Sequence, residues 1–410
     1  MKSEWKKVRL GNICEITSSK RIFAKEYRIM GIPFYRGKEI IEKQKGAKIS
    51  TALYIEPERY NQIVQKYGAP QKGDILLTSV GTLGVPYLIR QGEKFYFKDG
   101  NLTWFRNFEN VESKFVYYWL LGPEAHKQVD SKCIGSTQKA LTIETLLAFD
   151  ILLPSLPVQR IIAATLSCLD DKIELNNKIN ANLEAQAQAI FKSWFVDFEP
   201  FQDGEFEDSE LGPIPKGWKI GSLGNIARYA KERISIQCCT TENYISTENM
   251  QIDKKGVVPA GALPATNTVC GYAENDILIS NIRPYFKKIW FSNKTGGCSN
   301  DVLVIRARDK SLTGFLYSIL YSDSFFNYAT ATSKGTKMPR GDKLAIMNYP
   351  VVFPVSFKDD LYIQKMSLLV LQFQKRIGEL KKENDILIAL RDTLLPKLMS
   401  GEITVPAEGN

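Results

Sequence analysis

Two stretches of this chain carry one and the same seam. From Ile162 the inward positions step by alternating fours and threes, through Leu166, Leu169, Ile173, Asn176, Asn180, Leu183, Ala187 and Ile190 to Trp194. The pattern returns at a constant offset of 204 as Met366, Val370, Phe373, Ile377, Leu380, Asn384, Leu387, Arg391 and Leu394. A spacing of 3.5 residues held over so many turns is the pattern of a coiled coil. One helix cannot bury such a seam alone, so two in one chain most simply bury against each other. Each would span on the order of 50 Å at the α-helical rise. Asn180 and Asn384 occupy the same place in the two seams. A core Asn costs stability and fixes register; a slightly imperfect seam with solvated Asn is the competing reading. Pro157 suits a helix start, and Pro396 a stop or kink.

The segments before the two seams repeat as well. WKKVRLGNIC at Trp5 returns as WKIGSLGNIA at Trp218, and KGDILLTSV at Lys72 as ENDILISNI at Glu274. The latter pair reads as a strand entering a polar loop. SKFVYYWLLGPEAHKQV from Ser113 matches TGFLYSILYSDSFFNYA from Thr313, each reading as an aromatic-rich helix. Gly-centred turns follow, GSTQKA at Gly135 and GTKMPRGDK at Gly335, and then closing strands, DILLP at Asp150 and VVFP at Val351. A repeat at long period decides architecture. The fold class is α/β (α+β): two globular domains, each followed by a long helix, the two helices packing as a coiled coil, with an internal pseudo-twofold repeat. The expected boundaries are 1–156 and 217–356 for the domains and 157–197 and 357–403 for the helices. The acidic stretch 198–216 reads as a linker.

Charge follows this division. Residues 1–155 hold 24 Lys+Arg against 16 Asp+Glu, residues 156–217 hold 5 against 11, and residues 218–355 hold 17 against 10. Two basic blocks parted by an acidic connector suit two contact patches on a polyanion, although solvated lysines on ordinary domains give the same balance. The seven cysteines contain no CxxC pair. They fit reduced thiols in a cytoplasm rather than disulfides or zinc, with Cys238 and Cys239 expected buried or half-buried. No run of 18 apolar residues suggests a membrane span, and the opening MKSEWKKVRL lacks the apolar core of a secretory signal.

No motif in the sequence argues for chemistry. There is no GxxxxGK[ST] or GxGxxG loop, and no Asn-Pro-Pro-aromatic run of the kind an adenine methyltransferase carries. The one histidine, His126, falls in the first aromatic helix and reads as structural or surface. No catalytic residue, metal site or cofactor of its own is expected. What remains is a binding protein: two similar, non-identical basic domains suit a duplex read at two unlike half-sites.

In this arrangement the chain resembles the specificity subunit of a type I restriction–modification system. The domain openings WKKVRLGNI and ELGPIPKGWKIGSLGNI carry the resemblance. So do the helix ends NLEAQAQAIFKSWFVDFEP (Asn182–Pro200) and LRDTLLPKLMSGEI (Leu390–Ile403). The resemblance implies two target-recognition domains separated by two long antiparallel helices, each domain reading half of a split double-stranded DNA site and the helical spacer setting the gap. It implies partners too: two methylation subunits binding S-adenosylmethionine, and restriction subunits using ATP. On that reading this chain catalyses nothing itself.

The resemblance supplies no base-reading code, so the candidates come from loops and strand ends. In the first domain these are Lys20, Arg21, Arg36, Lys38, Thr78, Ser79, Ser136, Thr137, Gln138 and Lys139. In the second they are Lys231, Arg233, Asn281, Arg283, Lys287, Lys334, Thr336, Lys337 and Arg340. Arg and Gln can meet a base edge through two hydrogen bonds. Phe191, Trp194, Phe195, Leu395 and Leu398, at or past the helix ends, either dock methylation subunits or pack onto the chain's own domains. A coiled-coil scaffold without nucleic acid and a tandem RNA-binding protein are the rival readings.

Overall fold

The computed structural model describes residues 5–46, 49–133, 140–356 and 360–405. The chain forms two compact units, Met1–Leu175 with Asn384–Asn410, and Asn176–Glu383. Each unit therefore holds one globular domain together with part of both long helices.

In the first unit the opening strand Lys6–Arg9 pairs antiparallel with the closing strand Asp150–Leu153, so the domain's two ends meet. Its main sheet is antiparallel, in the order Glu15–Thr17, Leu102–Arg106, Ile75–Thr78, Pro86–Leu88. The run Ile75–Thr78 is buried at every residue, as expected of a strand covered on both faces. A smaller sheet runs Tyr54–Ile55, Ile32–Tyr35, Tyr96–Phe97. The core joins Phe105, Phe115 and Phe149 to Leu166 of the first long helix and Leu398 of the second.

The second unit repeats the plan. Trp218–Ser222 pairs with Pro350–Pro354, and the main sheet runs Ala227–Tyr229, Val302–Ala307, Ile277–Ser280, Ile289–Phe291. Even the register is kept: Ile75 faces Phe105, and Ile277 faces Ile305. The extra sheet differs, having four strands here: Arg233–Ser235, Thr268–Tyr272, Gly296–Cys298 and Tyr244–Ile245.

Each aromatic helix is two helices rather than one. Ser113–Leu121 stops at Gly122, whose extended backbone precedes Pro123, and Pro123–Lys132 starts afresh. In the repeat, Thr313–Tyr321 stops at Ser322, whose hydroxyl caps the following Asp323–Ala331 by accepting from the Phe325 N–H at 3.2 Å. Gly314 lets the first of these helices ride on the second long helix. A Cβ there would meet the Ser367 carbonyl oxygen at 2.2 Å.

The long helices are Leu156–Phe195 and Leu361–Met399. Every seam position named above is buried or half-buried, and none is exposed. The helices run antiparallel, since within the second unit Asn176 Nδ2 donates to Glu383 at 3.0 Å while Trp194 meets Tyr362 at 5.3 Å. Asn180 and Asn384 are both 7% exposed, so the solvated-Asn reading does not hold. Pro396 does not stop its helix, which continues to Met399.

The stretch read as a linker is ordered. Phe198 adopts a left-handed conformation (φ 53°), is buried, and meets Trp218 at 5.5 Å. Phe206–Glu207 then forms a hairpin with Ile214–Pro215. All seven cysteines are free, and Cys238 is exposed where burial was expected. Among the described residues no helix is long and apolar enough to cross a membrane. No cluster of potential metal ligands occurs among them.

Candidate nucleic-acid interface

The second unit shows how the fold builds a presenting surface. The buried strand Ile277–Ser280 ends and the chain leaves the sheet through Asn281–Lys288. Arg283 (φ 52°) and Lys287 (φ 50°) both take the left-handed conformation, on either side of the turn Pro284–Phe286. Two such non-glycine residues so close together need support from outside the loop. That support comes from two neighbours. The Arg283 N–H donates to the Pro339 carbonyl at 2.7 Å, and Ile282 bridges to Arg340. On the other side the Asp253 and Lys254 N–H groups each donate at 2.9 Å to the Phe286 and Lys287 carbonyls.

The segment 334–341 is itself a closed hairpin. Lys334 and Arg340 exchange backbone hydrogen bonds of 2.8 and 2.9 Å, and the Gly341 N–H donates to the Asn281 carbonyl at 2.9 Å. A Cβ at Gly341 would stand 2.9 Å from Asn281 Oδ1 and 3.1 Å from Ile346 Cδ1, so only glycine lets the hairpin seat this closely. The structure thus gathers Asn281, Arg283, Lys334, Thr336, Lys337 and Arg340 from segments 51 or more residues apart in sequence onto one pair of loops.

Their side chains are not equivalent. Lys334, Thr336, Lys337 and Arg340 are exposed. Lys334 and Arg340 are aimed by Asp342 at 2.5 Å and Asp301 at 3.3 Å, yet remain largely open to solvent. Arg283 is half-buried, and Asn281 is buried with its amide out of reach of a ligand. Lys287 is engaged at 2.9 Å by Asp323, which Lys254 also holds at 2.9 Å. These two ammonium groups keep the Asp323 carboxyl well below the usual carboxylate range, at about 2. Lys231 and Arg233 are exposed on the other sheet's edge, where Arg233 Nη2 donates to the Thr268 carbonyl at 2.9 Å.

The first unit has the same docking of loop on strand end. Val80 bridges to Ala140, and the Leu141 N–H donates to the Ser79 carbonyl at 3.0 Å. Ser136, Thr137, Gln138 and Lys139, which precede this bridge in sequence, lie outside the described residues. Thr78 and Ser79 are buried, against the expectation that they face a ligand. Thr78 Oγ1 accepts from the Val85 N–H at 2.9 Å, and the Ser79 hydroxyl lies 2.5 Å from that of Thr103. These hydroxyls satisfy the strand end rather than a partner.

Arg36, half-buried, binds Glu39 at 2.7 Å; burial of that wholly inaccessible carboxyl pushes its pKa up, but hydrogen bonds from the Arg36 side chain and from the Arg36 and Glu39 backbone outweigh this and lower it. Lys38 is exposed, with Thr51 at 3.3 Å. Lys20 and Arg21 are exposed as well, the first lying 4.5 Å above the Tyr67 ring and the second 3.0 Å from Asp99.

The helix-end apolar groups are spent on the chain's own cores. Phe195 is buried, meeting Phe315 at 4.8 Å, while half-buried Phe191 meets the same ring at 6.0 Å. Trp194 is half-buried against Tyr362, and Leu395 and Leu398 belong to the first unit's core. Exposed apolar groups lie elsewhere: Ile386 at 68%, Ile388 and Leu390 on the second long helix. Their signal was readable, because they fall between the seam positions Asn384, Leu387 and Arg391. The loop tips also carry apolar groups that loop chemistry alone did not flag, namely Ile29 and Met30 in the first unit and Tyr285 and Met338 in the second.

Comparison with known proteins gives a consistent result. Residues 2–185 match the type I restriction modification DNA specificity domain. The chain is 28% identical over 364 residues to the type I restriction enzyme MjaIX specificity subunit of Methanocaldococcus jannaschii, covering 82% of this chain and 78% of that protein. It is 21% identical to the type I restriction enzyme HindI specificity subunit of Haemophilus influenzae, over 98% and 100% of the two chains. The crystal structure of a type I restriction–modification S subunit from M. genitalium shares the fold, with a TM-score of 0.57 and 17% identity over 96% of each chain. Residues 2–185 thus resemble a type I restriction modification DNA specificity domain, and the chain as a whole is similar to type I restriction enzyme specificity subunits.

Proposed function

We propose that this chain is the sequence-specific, double-stranded-DNA-binding subunit of a type I restriction–modification complex, each unit reading one half of a bipartite site. One observation carries the reading. The two units keep the same strand register and the same docking of a second segment onto the strand end, and the sequences before those docking points differ. A conserved frame with unlike tips is what two unlike half-sites require. The exposed cations Lys334 and Lys337 supply phosphate contacts and Arg340 a base-edge contact in the second unit, while Lys20, Arg21 and Lys38 supply phosphate contacts in the first.

The chain catalyses nothing by itself and holds no cofactor; S-adenosylmethionine and ATP belong to partner subunits. Two methylation subunits dock on the helical spacer, with Ile386, Ile388 and Leu390 as contact groups, restriction subunits join that complex, and the assembly is cytoplasmic. The relatives' names and the match to a DNA specificity domain favour this reading over a scaffold or an RNA binder. The test is duplex binding by the complex with its methylation subunit at several salt concentrations. A reader neutralising several phosphates loses affinity by orders of magnitude when salt rises a few-fold. A scaffold shows no duplex binding at any salt.

A further inference from the structure

The tip of the second unit is more than a basic patch. Tyr285 is 47% exposed and Met338 is 50% exposed, large apolar side chains on two loops tied by backbone hydrogen bonds at Arg283–Pro339 and Ile282–Arg340. Both stand among cations: Arg283, Lys287 and Lys288 follow or precede Tyr285 within three residues, and Lys337 and Arg340 flank Met338. The Tyr285 ring is fixed from below by an edge contact with Phe286 at 4.8 Å. Its backbone is held between two left-handed residues, Arg283 and Lys287. Hydration disfavours exposing a rigid aromatic ring and a thioether together unless something covers them. The corresponding loop of the first unit, Gly81-Thr82-Leu83-Gly84, carries no aromatic, and its Leu83 is half-buried.

We infer that Tyr285 and Met338 form the apolar base-contacting tip of the second unit, meeting base methyls or a base step of duplex DNA while the surrounding lysines hold the phosphates. The inference rests on the reading of the chain as a DNA reader and adds a specificity-determining pair to it. Apolar side chains carry sequence information by contact with the thymine methyl or by wedging a deformable step, neither of which a phosphate contact can supply.

The experiment is selection from a random duplex library by the full chain with its methylation subunit, run for the parent and for Tyr285→Ala, Met338→Ala and Tyr285→Phe. Because Tyr285 and Met338 are exposed, thermal unfolding should match the parent in all three variants. The expected result is relaxed preference at one or more positions of one half-site for the two Ala variants, with affinity for the parent's duplex down by about tenfold. The other half-site and the salt dependence stay unchanged, and Tyr285→Phe keeps the parent's preference. Unaltered preference in both Ala variants, or a change in both half-sites, overturns the inference while leaving the DNA-reader reading intact. A parent that enriches no sequence overturns both.

Discussion

Arg391 stands at a seam position, and its guanidinium lies 2.8 Å from the Asp170 carboxylate on the facing helix. Tyr118, from the recognition domain, donates to the other oxygen of the same carboxylate at 2.7 Å. Asp170 is therefore the point where both long helices and the first unit's aromatic helix are fastened together. A charged residue in a coiled-coil seam is expensive unless paired, and here the pairing is complete.

Asp170→Ala removes the acceptor for two donors that are partly buried. It is expected to lower stability by about 2 kcal/mol, since the Tyr118 phenol loses its acceptor and the Arg391 guanidinium, left with Asp392 alone, loses a charge-assisted hydrogen bond. Thermal unfolding of the full chain checks this, and an unchanged melting temperature would show that the fastening contributes nothing.

Gly341→Ala tests the seating of the hairpin. The added Cβ cannot share space with Asn281 Oδ1 at 2.9 Å, so either the buried Asn281 amide or the 334–341 hairpin must shift, and both disturb the seating of the two loops. The fold should survive, because the hairpin lies at the surface, while affinity for the selected duplex falls by at least about tenfold, or roughly 1.4 kcal/mol. Equal affinity would mean that the seating of these loops is irrelevant to binding.

Lys337→Ala removes an exposed cation. The expected signature is a uniform loss of affinity across sequences, with the slope of log affinity against log salt reduced by about 1. A change of sequence preference at constant slope would assign Lys337 to base reading instead.

Asp323 gives a pH prediction. Its folded-state pKa of about 2 lies below the ordinary carboxylate value of about 4. Its ties to Lys287 and Lys254 therefore stabilise the fold fully above about pH 4, and this contribution disappears as pH falls toward about 2. The side chain is well exposed, so the effect is small. The melting-temperature difference between parent and Asp323→Asn should be constant above pH 4 and shrink to nothing near pH 2. A difference independent of pH would contradict it.

The seams were legible because a 3.5-residue period survives any amount of side-chain substitution that keeps the core apolar, and the buried Asn180 and Asn384 sat where the period put them. The duplication was legible because strand and turn residues repeat in order. Burial at strand ends was not. Thr78, Ser79 and Asn281 read as polar loop residues, but each lies where a second loop docks on the sheet, a long-range contact that no local pattern reports. For the same reason Phe195, Leu395 and Leu398 could not be told apart from exposed anchors, since their partners come from distant segments. The aromatic helices split at Gly122 and Ser322 because backbone and capping chemistry overrode a continuous apolar pattern.

The most direct test of bipartite reading is library selection with the complex of this chain and its methylation subunit, repeated with Arg340→Ala. The account predicts two unlike half-sites at a fixed gap for the parent, and for the variant a change confined to one of them. Enrichment of no sequence by the parent, or an Arg340→Ala change spread over both half-sites, would contradict it.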